Sequence, residues 1–221
     1  MIHFIGDVHG EFNRFRDICK QIPQEDTIIQ VGDFGFWNHM SDRWNRQAGP
    51  HLERPIFFIE GNHDFLPALQ SLKEETEVWP NAVYIPRGTI KVIGGYRMLF
   101  VGGASSVDGH WRARGIDYFP DLETIRHEDL VHITKDDEID LMVTHTPPVS
   151  CVKDVFDPND LVNFFGLSKE WTDYGTVILE AKWNELGNPP IICGHMHKAV
   201  QWNNVRILDI LEHITMKDLG I

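Results

Sequence analysis

The stretch "MIHFIGDVHGEFNRFRDICKQIPQEDTIIQVGD" (residues 1–33) is the one whose reading decides the fold. The apolar run "MIHFIGD" (1–7) stops at Gly6-Asp7. "EFNRFRDICKQI" (11–22) then places Phe12, Phe15, Ile18, Cys19 and Ile22 at helical spacing. A second apolar run, "DTIIQVGD" (26–33), also stops at Gly-Asp. Two buried strands joined by an amphipathic helix make a βαβ unit, whose strands pair in parallel.

Further along, the same alternation continues and then changes. "RPIFFIEGNHD" (54–64) reads as a third strand, and "TIKVIGGYRMLFVGG" (89–103) as a hairpin turned at Gly94-Gly95. A helix is expected within "DLETIRHEDLVHI" (121–133), then a strand in "IDLMVTHTPP" (139–148). "YGTVILEAKWNELG" (174–187) fits a helix stopped by Gly187, followed by a strand in "PPIICGHMH" (189–197). "AVQWNNVRILDI" (199–210) reads as a hairpin turned at Asn203-Asn204. Parallel and hairpin strands flanked by helices favour a layered α/β sandwich. With no repeat, low-complexity tract or domain-splitting linker, one domain over 1–221 is expected.

Bulk composition narrows the function classes. Hydrophobic residues make up 42% and charged residues 24%, ordinary values for a globular chain. No apolar run is long enough to cross a bilayer, so no membrane partner is expected. The N-terminus lacks a basic flank and a small-residue cleavage site, and no signal peptide is read there. Three cysteines, Cys19, Cys151 and Cys193, show no spacing pattern; they read as small buried hydrophobes in a reducing cytoplasm. The net charge of −13 opposes long nucleic acids as partners. An anionic substrate would need a local positive source, such as bound metal ions.

Polar groups of one kind recur where the strands end. "GDVHG" carries Asp7 and His9, "VGDFG" carries Asp33, and "EGNHD" carries Asn62, His63 and Asp64. "VTHTPP" carries His145, and "CGHMH" carries His195 and His197. Ligands of open α/β sheets bind beyond the carboxyl ends of the strands. Residues two apart on extended chain share a face, which would pair Asp7 with His9 and His195 with His197. Imidazole with carboxylate suits Mn, Fe, Zn or Ni better than Mg or Ca. Asp33 has two oxygens and can bridge two ions. Two divalent cations against two carboxylates leave a positive centre that draws phosphate and acidifies water. Singly, each residue has an ordinary reading as a helix cap, a turn or a structural histidine. Together, at successive strand ends, they point to a two-metal hydrolase.

In this order the motifs resemble the calcineurin-like metallophosphoesterase superfamily: Asp7-Val8-His9, Gly32-Asp33, Gly61-Asn62-His63-Asp64, His145 and Gly194-His195-Met196-His197. The resemblance implies a four-layer αββα sandwich with mixed β-sheets and a dinuclear centre. It assigns one ion to Asp7, His9, Asp33 and His197, and the other to Asp33, Asn62, His145 and His195. It implies in-line attack on phosphorus by a hydroxide that the ions hold. His63 then contacts the phosphate and protonates the leaving oxygen. The chain departs from the protein-phosphatase branch, whose second motif is G-D-x-x-D-R-G. Phe36 replaces the Asp that would orient the histidine, and Trp37 replaces the phosphate-binding Arg. Two roles stand open for Asp64: orienting His63, or capping the following helix. "THTPP" around His145 looks like the T-H-x-P-P of small phosphodiesterase-like members.

The segment "GGASSVDGHWRARGIDYFP" (102–120) is expected to face substrate, with Arg112 or Arg114 as a phosphate clamp. Its Trp111, Tyr118 and Phe119 could stack on a base. Trp37 and Trp44 stand open between pocket wall and ordinary packing. The missing motif Arg leans the substrate towards small diesters or phosphoanhydrides over monoesters. A non-catalytic scaffold of the same fold, or a nuclease on short oligonucleotides, is the alternative.

Overall fold

The computed structural model describes residues 1–38 and 49–220, so Trp44 lies outside the described residues. In chain order the strands are β1 (Ile2–Ile5), β2 (Thr27–Gln30), β3 (Ile56–Phe58), β4 (Thr76–Trp79), β5 (Ala82–Tyr84) and β6 (Thr89–Ile93). They continue as β7 (Tyr96–Val101), β8 (Leu141–Thr144), β9 (Ile191–Cys193), β10 (Val200–Trp202), β11 (Val205–Ile207) and β12 (His213–Thr215). The α-helices are α1 (Phe12–Cys19), α2 (Leu66–Leu69), α3 (Pro120–Glu123), α4 (His127–Leu130), α5 (Val149–Val155), α6 (Pro158–Phe165) and α7 (Tyr174–Glu185).

The strands form two six-stranded sheets, ordered β12-β1-β2-β3-β5-β4 and β10-β11-β9-β8-β7-β6. Each sheet has a parallel centre with an antiparallel strand on either edge. In the first, β1, β2, β3 and β5 run parallel, with β12 and β4 antiparallel outside them. In the second, β11, β9, β8 and β7 run parallel, flanked by β10 and β6.

Side-chain alternation builds the layers, because successive strand residues face opposite ways. Phe4, Ile29, Met98, Phe100, Leu141 and Val143 share one core between the sheets. Their neighbours Ile5 and Ile28 turn outward to Phe12, Phe15 and Cys19 of α1. Leu99, Val101 and Met142 turn the other way, to Leu179 and Trp183 of α7. Strands buried on both faces read as unbroken apolar runs, which is how parallel central strands appear in sequence. The architecture is the expected αββα sandwich.

One element departs from expectation. The helix expected within 121–133 is split into α3 and α4. The break follows from Arg87, whose guanidinium takes the carbonyls of Leu122, Glu123 and Thr124 and removes them from a helical ladder. Asp129 then accepts from the backbone N–H of Arg126 to start α4 afresh. Among the described residues no helix is long and apolar enough to cross a membrane.

Candidate metal centre

The fold brings the motif residues to one end of the sandwich, on the seam between its sheets. Asp7 and His9 follow β1, Asp33 follows β2 and Asn62 to Asp64 follow β3, all from the first sheet. His145 follows β8, and His195 and His197 follow β9, from the second. The ends are stitched by main-chain bonds: the N–H groups of Val8 and His9 donate to Asp33 O, and Gly194 N–H donates to His145 O.

Asp7, His9, Asp33 and His197 each offer one donor atom, and these atoms lie within 4.8 Å of one another. His197 Nε2 is 3.2 Å from Asp7 Oδ2 and 2.9 Å from His9 Nε2. His9 Nε2 is 3.7 Å from Asp33 Oδ2. On the other side of Asp33, its Oδ1 is 3.5 Å from His145 Nε2, which is 3.2 Å from Asn62 Oδ1. The rings of His145 and His195 stand 5.1 Å apart. Asp33 therefore lies between the two ligand sets, and all seven expected ligands converge.

The pairing drawn from alternate-residue spacing holds for Asp7 and His9, whose Oδ2 and Nε2 stand 3.8 Å apart, but His195 and His197 part, one beside His145 and the other beside His9. His9, Asp33, His195 and His197 have φ of 46°, 53°, 67° and 47°, so the chain beyond the strands is left-handed, not extended. Partners also form across segments: His9 meets His197, while Asp7 accepts the backbone N–H of His195. Non-glycine residues in this region cost on the order of 1–3 kcal/mol each, strain that concentrates at functional sites.

The donor set fits divalent cations on several counts. Asp33 Oδ2 is buried and accepts no hydrogen bond, a costly state for a carboxylate oxygen without a cation. His145 Nδ1 faces the carbonyl of Val31 at 2.9 Å, so Nδ1 carries the hydrogen. Its other nitrogen, Nε2, is then turned towards Asn62 Oδ1 and Asp33 Oδ1. The Asn62 amide is oriented by its Nδ2–H, which donates to Ser106 Oγ at 3.0 Å. A Cβ on Gly61 would collide with Asp33 Oδ1, and one on Gly194 with Asp7 Oδ1, so only glycine fits these floors.

Titration directions tell the same story. Burial holds His195 well below its usual value, with the charge on His145 adding to it. Burial also lowers His9, against the pull of Asp33 and Asp7. Both imidazoles thus keep a lone pair near neutral pH. Burial opposes charge on His145 too, but Asp33 and Asp7 outweigh it and lift it to about 9. The carboxylates draw positive charge into the centre, which is what a cation supplies.

The other expected site residues are placed differently. Asp64 takes neither expected role. Its buried carboxylate accepts backbone N–H bonds from Phe34, Gly35, Phe36 and Gly61, tying the second motif to the third. α2 has Phe65 at its N-cap, with no side-chain cap. Phe36 is fully buried, its ring 4.9 Å from that of Trp79. Trp37 packs over Gly10, beside the Asp7–His9 loop. Arg112 donates to Ser106 Oγ, Asn62 O and Asp117 O, so its fork holds the loop. Arg114 is exposed and pairs with Asp121 at 3.0 Å. Two polar residues not singled out from the sequence belong here, Ser106 behind Asn62 and Asp108 beside His63. Both lie in the 102–120 segment, among its cationic and aromatic residues.

The model of the calcineurin-like phosphoesterase family matches residues 1–199 of this chain. No curated protein matches it. Among solved structures, the NAD nucleotidase NadN of Haemophilus influenzae aligns with a TM-score of 0.38 and 11% identity. That alignment covers 95% of this chain and 41% of the nucleotidase chain, so this chain spans less than half the length of that protein. A family match running through every strand-end motif from Asp7 to His197 means that the chain belongs to the calcineurin-like phosphoesterases, a family that implies divalent metal ions.

Proposed function

We propose that this protein is a dinuclear metal-dependent phosphoesterase that hydrolyses small phosphate esters. The observation that carries the reading is the gathering of six donor side chains on either side of Asp33, whose Oδ2 is buried and accepts no hydrogen bond. Asp7, His9, Asp33 and His197 would hold one ion, and Asp33, Asn62, His145 and His195 the other. Bound divalent cations would supply Lewis-acid charge for the phosphoryl oxygens and lower the pKa of water.

The chain's own residues do the rest. Val31 O and Ser106 Oγ hold His145 and Asn62 in the orientation a ligand needs. His63, anchored by its backbone N–H to Asp33 Oδ1 at 2.8 Å, delivers a proton to the leaving oxygen. Imidazole and carboxylate donors favour Mn, Fe, Zn or Ni. Arg112 is taken up by its own loop and Arg114 by Asp121, which keeps the lean towards diesters or phosphoanhydrides.

The test loads the purified protein with Mn²⁺, Fe²⁺, Zn²⁺ or Ni²⁺ in turn. It measures metal per chain and turnover of p-nitrophenyl phosphate, bis-p-nitrophenyl phosphate and cyclic nucleotides. The expected result is two ions per chain and faster diester than monoester hydrolysis. Monoesterase activity alone would reverse the substrate lean. Fewer than one ion per chain, with no turnover, would favour the scaffold reading.

A further inference from the structure

His63 is the proton donor in the proposed reaction, yet Phe36 stands at the motif position from which a carboxylate would orient it. Asp64, the nearest acid in sequence, is consumed by four backbone N–H groups. The carboxylate that does reach His63 comes from another loop. Asp108 lies between β7 and α3, just before a short 3-10 turn at Gly109–Trp111. Its Oδ2 is 3.5 Å from His63 Nε2, and their side chains are 23% and 31% exposed.

The surroundings hold Asp108 in place. Its Oδ1 is buried and accepts no hydrogen bond, and Arg112 Nη1 faces it at 3.6 Å. Arg112 is fixed in turn by Ser106 Oγ at 2.6 Å, by Asn62 O at 3.0 Å and by Glu123 at 3.5 Å. The guanidinium thus ties the loop that carries Asp108 to the residue next to His63. Turning the Asp108 carboxylate away would give up its ion pair with that guanidinium.

We propose that Asp108 is the positioning residue for His63, holding the imidazole by Nε2 so that Nδ1 is the nitrogen presented to the leaving group; this rests on the phosphoesterase reading above. As the P–O bond to the leaving group breaks, its electron pair passes to the leaving oxygen, which takes the proton from His63. Water supplies the oxygen of the new P–O bond and, through solvent, returns a proton to His63. Asp108 contributes geometry and charge and never touches the reacting atoms. It takes over, from a different loop, the place the second motif gave up to Phe36.

The experiment compares wild type with Asp108→Asn and Asp108→Ala on phenyl and p-nitrophenyl esters of whichever class the wild type hydrolyses. It also records metal per chain and the imidazole ¹H–¹⁵N correlations of His63 in metal-free protein. The expected result is unchanged metal content, with kcat for the phenyl ester falling roughly tenfold further than for the p-nitrophenyl ester. A positioned acid contributes 10²–10⁴-fold in all, so a partial loss fits a residue acting through it. The His63 ring signals should shift in both variants, less with Asn, which keeps an oxygen and the side-chain volume. Should the Ala variant fail to fold, the Asn variant carries the test alone. Equal losses on both esters, or unshifted His63 signals, would overturn the proposal. A wild type inert with every metal would overturn the hydrolase reading, while the His63 signals would still decide whether Asp108 holds the ring.

Discussion

At the scale of single residues, Asp33 and His63 sit side by side with separable roles. The Asp33 carboxylate has one oxygen towards His145 and the other towards His9. Asp33→Ala should abolish metal retention and hydrolysis together, read by metal analysis and steady-state rates on one sample. His63 touches this centre through its backbone N–H and stands edge-on to His9 at 5.3 Å. His63→Ala should therefore keep its metal. Its turnover should slow by about 10²–10⁴-fold for poor leaving groups and much less for p-nitrophenolate. Equal slowing across a leaving-group series would mean that His63 does not donate the proton. Asp64 shows how a motif residue can mislead. Its place after Asn62-His63 suggests chemistry or a helix cap, yet four backbone N–H groups claim it, and no sequence spacing encodes that.

At the scale of elements, the start of β1 is held by groups remote from the metal centre. The N-terminal ammonium and His3 Nε2, at 3.0 Å, both reach Asp26, just before β2, and His3 Nδ1 meets His213 Nε2 of β12 at 2.8 Å. Three neighbouring strands of one sheet share this cluster. The hydrogen bond from the ammonium, then that from His3, holds the Asp26 carboxyl below its usual value. A carboxyl depressed in the folded state adds stability that is complete above the ordinary carboxylate value of about 3.9 and is lost as pH falls through the lowered one. Wild type should thus lose more thermal stability than Asp26→Asn on acidification from pH 5 to pH 2, as followed by circular dichroism melting. The two should run parallel above pH 5. The same scale explains the split of the expected helix within 121–133. Its local pattern is helical enough, but Arg87, distant in sequence, takes the carbonyls the helix would have used.

At the scale of the whole molecule, the centre joins two sheets that share an apolar core. One sheet contributes Asp7, His9, Asp33 and Asn62, and the other His145, His195 and His197. Ions bound there would clamp the sandwich at one end, and a ligand that binds only the folded state raises its stability by mass action. Mn²⁺ at a hundredfold excess over its Kd should stabilise the protein by about 2.7 kcal/mol, and excess chelator should reverse the gain. Thermal melting with and without metal checks this. Asp33→Ala should show no metal-dependent rise. An unchanged melting temperature in wild type with saturating metal would mean that the donors do not act as one site.

The sequence by itself determined the layered sandwich and the strand ends at which its polar residues gather. Unbroken apolar strands, a helical period and the Gly-Asp and Gly-His stops are local properties, and each is written within a few neighbouring residues. The motifs also marked the candidate metal-binding residues, because each motif is one loop at one strand end. Only the tertiary structure decided how those loops face each other. The left-handed turns at His195 and His197 send apart two side chains that an extended reading would pair along the chain. The claims on Asp64, the anchoring of Arg112 and the approach of Asp108 to His63 are contacts between segments far apart in sequence. Such contacts exist only once two sheets have packed, because packing, not spacing, sets which loop stands over which.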